Sequence, residues 1–319
     1  MNRRRLLQTV ILVAGLVGIG VAVARTVDDA RDQVLPSAGA LAAAGGLALV
    51  AILASGRAWV TLFHDLLDSR SNRIRFEATY YLAQLTKHLP AGGVVQAASQ
   101  VSLAAATGMP RGRVALAFPV SVIGTVAAGG TLGAGAALAS EMPGWARALA
   151  LLGLASPALL HRGLMAAVLG LARRFVRRVP ALDRLPSQRS ILLYYGWALA
   201  SIGASAVAYT VLLRSLTSEV NPAIVFCAFA LSWTLGFLVV PLPAGIGVRE
   251  AVLLAAIPGV DAAPVLAASL AHRLLAICAD LTAAFGSKLT ARRHAVAGRS
   301  TRQNDELRTD RPAVDGRHR

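Results

Sequence analysis

Long apolar runs separated by short polar segments dominate this chain. Several of them approach or exceed the roughly 20 residues that a helix needs to cross a bilayer; they lie at positions 6–24, 38–63, 114–140, 191–213, 223–240 and 264–286. A membrane β-barrel would instead show strands of about ten residues in which apolar and polar positions alternate. The pattern predicts an all-α, polytopic membrane domain over residues 1–287. The polar, basic tail, 288–319, is predicted to be disordered and cytoplasmic.

The composition is typical of a membrane protein. Of all residues, 55% are hydrophobic and 15% are charged, and the mean hydropathy is +0.59; a soluble domain carries more charge. The two cysteines, Cys227 and Cys278, both lie inside apolar segments. We interpret them as small packing residues, and expect no disulfide, metal site or cofactor.

The distribution of charge predicts the topology. The formal charge of +16 comes from arginines near the start of the chain, at 70–75, at 173–189 and in the tail. The positive-inside rule assigns these segments to the cytoplasm and the aspartate-containing loop 25–36 to the outside. The chain is therefore predicted to span the inner (plasma) membrane several times with both termini in the cytoplasm, and no nucleic-acid partner is expected. The run 6–24 is longer than a secretory signal core, which favours an uncleaved anchor.

Two apolar stretches are interrupted by proline and glycine. Residues 74–109 are broken at 90–93, and residues 240–258 carry two prolines and two glycines between 241 and 247. Such breaks divide each stretch into short helices, predicted at 74–88 with 94–108 and at 223–240 with 245–258. If the short helices cross the membrane, the chain has about eight full spans, or ten membrane segments in all. Re-entrant hairpins would give a different count, and both versions remain open.

The two breaks also resemble each other. The sequence Leu-Pro-Ala-Gly occurs at 89–92 and again at 242–245, and the topology assigns the two copies to opposite sides of the membrane. This arrangement predicts an inverted repeat, in which matching interrupted helices point to the substrate site. The other glycine-rich segment, around Gly129 and Gly130, lies inside one continuous span and is interpreted as close helix packing.

Charged residues inside apolar segments are the candidates for function, because each costs about 2.5–3.5 kcal/mol to insert. They are Glu77, Lys87, Arg249, Glu250, Arg273 and Asp280. Arg249 and Glu250 begin a short helix, where free N–H groups and an arginine suit a lipid phosphate. The alternative is a structural ion pair between Glu250 and Arg273. Lys87 either contacts substrate or extends to the interface. Asp280, His161 and His272 are interpreted as interfacial, and a function for Asp280 is kept as the less favoured alternative.

Three segments resemble one known family. Residues 84–96 are similar to the family's first pattern, Gln-Leu-Gly-Lys-Tyr-Leu-Pro-Gly-Gly-Val-Trp-Gln. Residues 241–253 are similar to its second pattern, Pro-x-Pro-Ala-Gly-Leu-Gly-Val-Arg-Glu-Ala-Val-Leu. Arg273 resembles the arginine of the family's last helix. The family is the lysylphosphatidylglycerol synthase transmembrane region, and the resemblance covers about residues 5–287. The first segment departs from the pattern at His88, Ala91 and Val95.

The resemblance implies a flippase-like protein that moves a lipid or a lipid-linked molecule between leaflets. The soluble aminoacyl-transferase domain of fused members is not found here, so lipid lysinylation is not implied. The predicted substrate-binding residues are Lys87, Pro90, Gly92, Gly245, Gly247, Arg249, Glu250 and Arg273. The expected partners are membrane lipids and enzymes of lipid or glycan biosynthesis. The alternative is an intramembrane transferase or its non-catalytic partner, although no common catalytic or nucleotide-binding motif is present.

Overall fold

The structure is a computed structural model, and it describes residues 35–67, 70–88, 92–135, 142–175, 185–238 and 247–309. Within these ranges the chain forms helices and no strand. The α-helices are α1 Ala38–Thr61, α2 Arg70–Gln84, α3 Gly92–Ala105, α4 Arg111–Gly133, α5 Gly144–Ala155, α6 Arg162–Phe175, α7 Gln188–Leu216, α8 Pro222–Leu238, α9 Val248–Ala256 and α10 Ala262–Thr309. Short 3-10 helices occur at His64–Leu66, Leu85–His88 and Ser156–Leu160. The predicted anchor, 6–24, lies outside the described residues.

Four of the described helices are long and apolar enough to cross a membrane. They are α1, α4, α7 and the segment Ala262–Ala291 of α10. A fifth span results if Gly144–Leu160 and Arg162–Leu171, which meet at 102°, are counted as one bent span. The all-α membrane fold is therefore confirmed, with four to five candidate spans in the described part of the chain against the eight predicted. α8 is apolar but has only 17 residues.

A pair of long helices, α1 and α7, forms the scaffold of the molecule. Each begins at a serine cap: Ser37 Oγ accepts the Ala40 N–H at 3.3 Å, and Ser187 Oγ accepts the Ser190 N–H at 3.1 Å. Such caps satisfy N–H groups that have no partner within the helix. The two helices pack along each other, and the Ser201 hydroxyl on α7 donates to the Ala51 carbonyl on α1 at 2.8 Å.

Glycines allow α4 to approach its neighbours closely. A Cβ on Gly130 would lie 3.2 Å from the Cα of Gly153 on α5, and a Cβ on Gly129 would overlap the side chain of Thr234 on α8. Small residues at helix contacts are typical of membrane proteins. The interpretation of this glycine-rich segment as a packing surface is therefore confirmed.

Both predicted breaks are present. α2 and its 3-10 extension end at His88 and α3 begins at Gly92, whereas α8 ends at Leu238 and α9 begins at Val248. The two helices of each pair pack against each other. The prediction of paired short helices is thus confirmed, with boundaries shifted by a few residues. Most of both Leu-Pro-Ala-Gly copies, including Pro90 and Gly245, lies outside the described residues.

The last helix is longer than predicted. α10 continues to Thr309, whereas the sequence predicted a disordered tail from residue 288. The structure assigns 288–309 to helix, and the position of the tail in the cytoplasm stays a prediction. This segment contains no proline, and eight of its 22 residues are Ala or Arg, which favour helix when an existing helix can be extended.

Candidate functional site

A cavity of about 520 Å³ lies between the scaffold helices and both broken segments. Its lining comes from α1, α2, α3, α4, α7, α8, α9 and α10, and from the 3-10 helix Leu85–His88. Residues that flank each break contribute to it, namely Lys87 and Gly93 at the first break and Leu238 and Arg249 at the second. Irregular backbone at membrane depth is tolerated where protein or a water-filled cavity covers it.

Glu250 fixes the second break by three hydrogen bonds. Its Oε2 accepts the N–H of Gly247 at 2.8 Å, which satisfies the start of α9. Its Oε1 accepts from Arg273 Nη2 at 2.6 Å and from the Ser269 hydroxyl at 3.1 Å, both on α10. Gly247 has φ +85°, a conformation that favours glycine. The structure therefore contains the predicted ion pair, and Glu250 holds α9 against α10.

Arg249, the neighbouring residue, is held by apolar contacts. Its guanidinium lies 5.3 Å from the centroid of the Trp233 ring, and Trp233 stacks on Phe237 at 5.3 Å and 8°. Its stem packs on Gly236, where an added Cβ would lie 2.6 Å from Arg249 Cγ. Within the described residues its Nε has no hydrogen-bond partner, and no ion pair involves it. Arg249 is therefore a cation held in position without a compensating carboxylate there.

Asp280 fixes the first break. Its carboxylate is 2% exposed and lies 2.7 Å from Lys87 Nζ and 3.0 Å from His88 Nε2. These contacts hold the 3-10 helix Leu85–His88, which precedes the first break, against α10. Asp280 is thus buried inside the protein, which the sequence did not predict, because hydropathy alone does not tell which face of α10 points inward. Lys87 does not simply extend to the interface either.

Polar atoms without partners converge on this cavity. In the described part of the chain, the buried side-chain atoms with no hydrogen-bond partner are Gln100 Oε1, Arg249 Nε and His272 Nε2, and all three residues line the cavity. Such atoms are costly unless a ligand or water satisfies them. His272 packs edge-on against Phe229 at 4.9 Å, and it lines the cavity, a position that the sequence did not predict. The signal that could have found Gln100 and His272 is polarity within otherwise apolar segments.

The other predicted residues lie elsewhere. Glu77 does not line the cavity: its Oε1 accepts from the Tyr81 hydroxyl at 2.7 Å and its Oε2 lies 3.4 Å from Arg57 Nη1. It therefore links α2 to α1. Gly92 and Gly247 stand at helix starts, and Gly247 does not line the cavity. Within the described ranges, no three His, Cys, Asp or Glu side chains are grouped to hold a metal ion.

The cavity carries one surplus positive charge. Among the described residues, its charged lining consists of three cations, Lys87, Arg249 and Arg273, and two carboxylates, Glu250 and Asp280, which leaves one net positive charge with the histidines neutral. Lys87 pairs with Asp280, and Arg273 pairs with Glu250. Arg249 is therefore the uncompensated charge. A guanidinium in a partly apolar cavity suits a bidentate phosphate.

A comparison with the profiles of known protein families identifies the family of this chain. The profile of the family described as lysylphosphatidylglycerol synthase TM region matches residues 6–284. The chain belongs to this family. The two segments that resemble signatures of the lysylphosphatidylglycerol synthase TM region, 84–96 and 241–253, are those that flank the cavity. A comparison with curated proteins finds no match.

Proposed function

We propose that this member of the lysylphosphatidylglycerol synthase TM-region family binds the anionic headgroup of a membrane lipid in the cavity and moves the lipid between leaflets. Arg249 carries the proposal. It is the cavity's uncompensated cation within the described residues, and its Nε lacks a partner there. A lipid phosphate supplies both the charge and the acceptor that Arg249 needs.

The surroundings of Arg249 suit a lipid rather than a soluble anion. Trp233, Phe237 and Leu238 line the cavity, the Trp233 ring lies 5.3 Å from the Arg249 guanidinium, and the fold is that of a membrane protein. A volume of about 520 Å³ lies within the range of small-ligand sites, and it suits a headgroup better than two acyl chains. The chains would then remain in the bilayer while the headgroup crosses.

Transport is favoured over an intramembrane transferase. A general base needs a carboxylate that is free to accept a proton from substrate. Both cavity carboxylates are occupied: Glu250 accepts three hydrogen bonds and Asp280 contacts Lys87 and His88. The sequence has no nucleotide-binding loop, so we expect translocation that runs downhill or is coupled to an ion gradient. Glu77 is a weak candidate for carrying the coupling ion, because it lies outside the cavity lining.

We also propose about eight full spans in the plasma membrane, with both termini in the cytoplasm. The distribution of arginines supports the orientation. The apolar run 6–24, the bent pair α5–α6 and the two broken pairs α2–α3 and α8–α9 are the candidates for the crossings beyond the four long helices.

Reconstitution in liposomes tests the transport function. Labelled phosphatidylglycerol, an aminoacyl lipid or a polyprenyl-phosphate-linked sugar would be placed in both leaflets, and an impermeant quencher would report exchange. We expect wild type to exchange at least one of them, and Arg249→Ala to slow that exchange tenfold or more, on the order of one charge-assisted hydrogen bond. Arg214→Ala is the control, because Arg214 is an exposed residue near the end of α7 and does not line the cavity.

Two results would count against the proposal. Equal exchange by a well-folded Arg249→Ala variant would show that the headgroup site is assigned wrongly. No exchange of any lipid by wild type would favour a membrane scaffold for lipid or glycan biosynthetic enzymes.

A further inference from the structure

Three uncharged side chains of the cavity lining offer hydrogen-bond acceptors. Gln100 on α3 is 4% exposed, and its Oε1 has no partner among the described residues. Ser121 on α4 donates its proton to the Phe118 carbonyl at 2.7 Å, and Ser201 on α7 donates to Ala51 at 2.8 Å. A hydroxyl whose proton is committed still offers lone pairs. These three side chains therefore suit a ligand group that donates hydrogen bonds.

The groups of a lipid headgroup that donate hydrogen bonds are hydroxyls or an ammonium. The charge of the cavity lining indicates which of the two the cavity suits. An ammonium in a partly apolar cavity needs a carboxylate with no other cation. Glu250 is already paired with Arg273, and Asp280 is paired with Lys87. The net charge of the lining is positive, which disfavours a cationic headgroup further. Hydroxyl groups need only the acceptors that are present.

We propose that the headgroup recognised in this cavity is a phosphate that carries an uncharged polyol or sugar, and not one that carries an amino-acid ester. Arg249 binds the phosphate, and Gln100, Ser121 and Ser201 accept hydrogen bonds from the hydroxyls. This inference deepens the proposed function and rests on the same cavity. It runs against the cationic lipid that the family description suggests.

Competition between lipids tests this specificity. The full-length protein in detergent micelles would be offered pairs of lipids with identical acyl chains, and bound lipid would be measured by native mass spectrometry. Phosphatidic acid provides the phosphate alone, phosphatidylglycerol and phosphatidylinositol add hydroxyls, and lysylphosphatidylglycerol adds ammonium groups. We expect the two hydroxylated lipids to bind at least about fivefold more tightly than phosphatidic acid and than the lysyl lipid, as two or three neutral hydrogen bonds would give.

Variants separate the two parts of the site. Gln100→Leu should reduce the preference for phosphatidylglycerol over phosphatidic acid about three- to tenfold, with unchanged binding of phosphatidic acid. Ser121→Ala should reduce it less. Ser215→Ala is the matched control, because Ser215 also donates to a carbonyl of its own helix at 2.7 Å but lies outside the cavity lining. Arg249→Gln should weaken all anionic lipids equally.

The outcomes also distinguish the two proposals. Tighter binding of the lysyl lipid, or an unchanged preference in a well-folded Gln100→Leu variant, would overturn the polyol assignment and leave transport untouched. A preserved preference without any exchange in liposomes would refute transport and retain headgroup recognition.

Discussion

At the residue scale, the cavity contains two kinds of cation. Lys87 has a buried carboxylate at 2.7 Å, so its charge is compensated and its role is to hold the first break against α10. Arg249 has no such partner within the described residues and is stabilised by the Trp233 ring. From the sequence alone, both residues were candidates for binding substrate. The structure makes Arg249 the better candidate for contacting a ligand.

Asp280→Asn should destabilise the protein strongly. The change leaves Lys87 without its charge partner beside His88, and breaking a pair of which one member is buried costs about 2–3 kcal/mol. Thermal unfolding of the purified full chain in detergent would measure the loss. Asp65→Asn is the matched control, because the Asp65–Arg113 pair has the same 2.7 Å separation but its carboxylate is 55% exposed; its cost should stay below about 1 kcal/mol.

Removing both charges should restore part of the stability. Lys87→Met combined with Asp280→Asn no longer leaves a cation without a partner, so the double variant should unfold at a higher temperature than Asp280→Asn alone. If Asp280→Asn unfolds like Asp65→Asn, the ion pair does not hold the first break.

At the element scale, the sequence predicted the short helices well and their contacts poorly. Proline and glycine interrupt backbone hydrogen bonding, a local property that one sequence reveals, so the breaks near 90 and 245 could be located. The start of α9 could be found from Gly247 with Glu250 three residues on. The inward direction of Asp280 and His272 could not, because the spanning segment Ala262–Ala291 is apolar overall and hydropathy alone does not select a face.

Gly236→Ala should weaken lipid binding without unfolding the protein. The new methyl group would meet Arg249 Cγ at 2.6 Å, so the flexible Arg249 side chain would have to leave its position over Trp233. We expect a three- to tenfold loss of affinity for phosphatidic acid in the native mass spectrometry assay, on the order of one hydrogen bond. Gly196→Ala on α7 is the control, because a Cβ there meets nothing within 4 Å. Equal affinity of both variants would mean that the position of Arg249 is not critical.

At the scale of the whole molecule, the cavity results from packing the two broken segments against long helices. The repeated Leu-Pro-Ala-Gly sequence suggested that the breaks belong together, and residues flanking both do line one cavity. The acceptors Gln100, Ser121 and Ser201 could not be predicted, because they come from α3, α4 and α7 and are separated by many residues in sequence. The packing of α4 against both α3 and α7 brings these positions to one surface.

The side of the membrane on which each end of the domain lies depends on whether the number of crossings is odd or even. Residue 37 precedes α1 and residue 300 follows Ala262–Ala291, so all four long candidate spans lie between them. Four crossings would leave both positions on the same side, whereas five or seven would leave them on opposite sides. The proposed eight spans include the run 6–24, which leaves seven crossings after residue 37. We therefore expect residue 37 outside and residue 300 in the cytoplasm.

Cysteine labelling in intact cells tests this expectation. In a background without Cys227 and Cys278, an impermeant maleimide should modify Ser37→Cys, since position 37 is exposed at the start of α1. Ser300→Cys should react only after the cells are permeabilised, which provides the control for its reactivity. Modification of both in intact cells would require an even number of crossings between them. The bent pair α5–α6 and the two broken segments would then contribute an even number of crossings to the four long helices, and the proposed topology would be wrong.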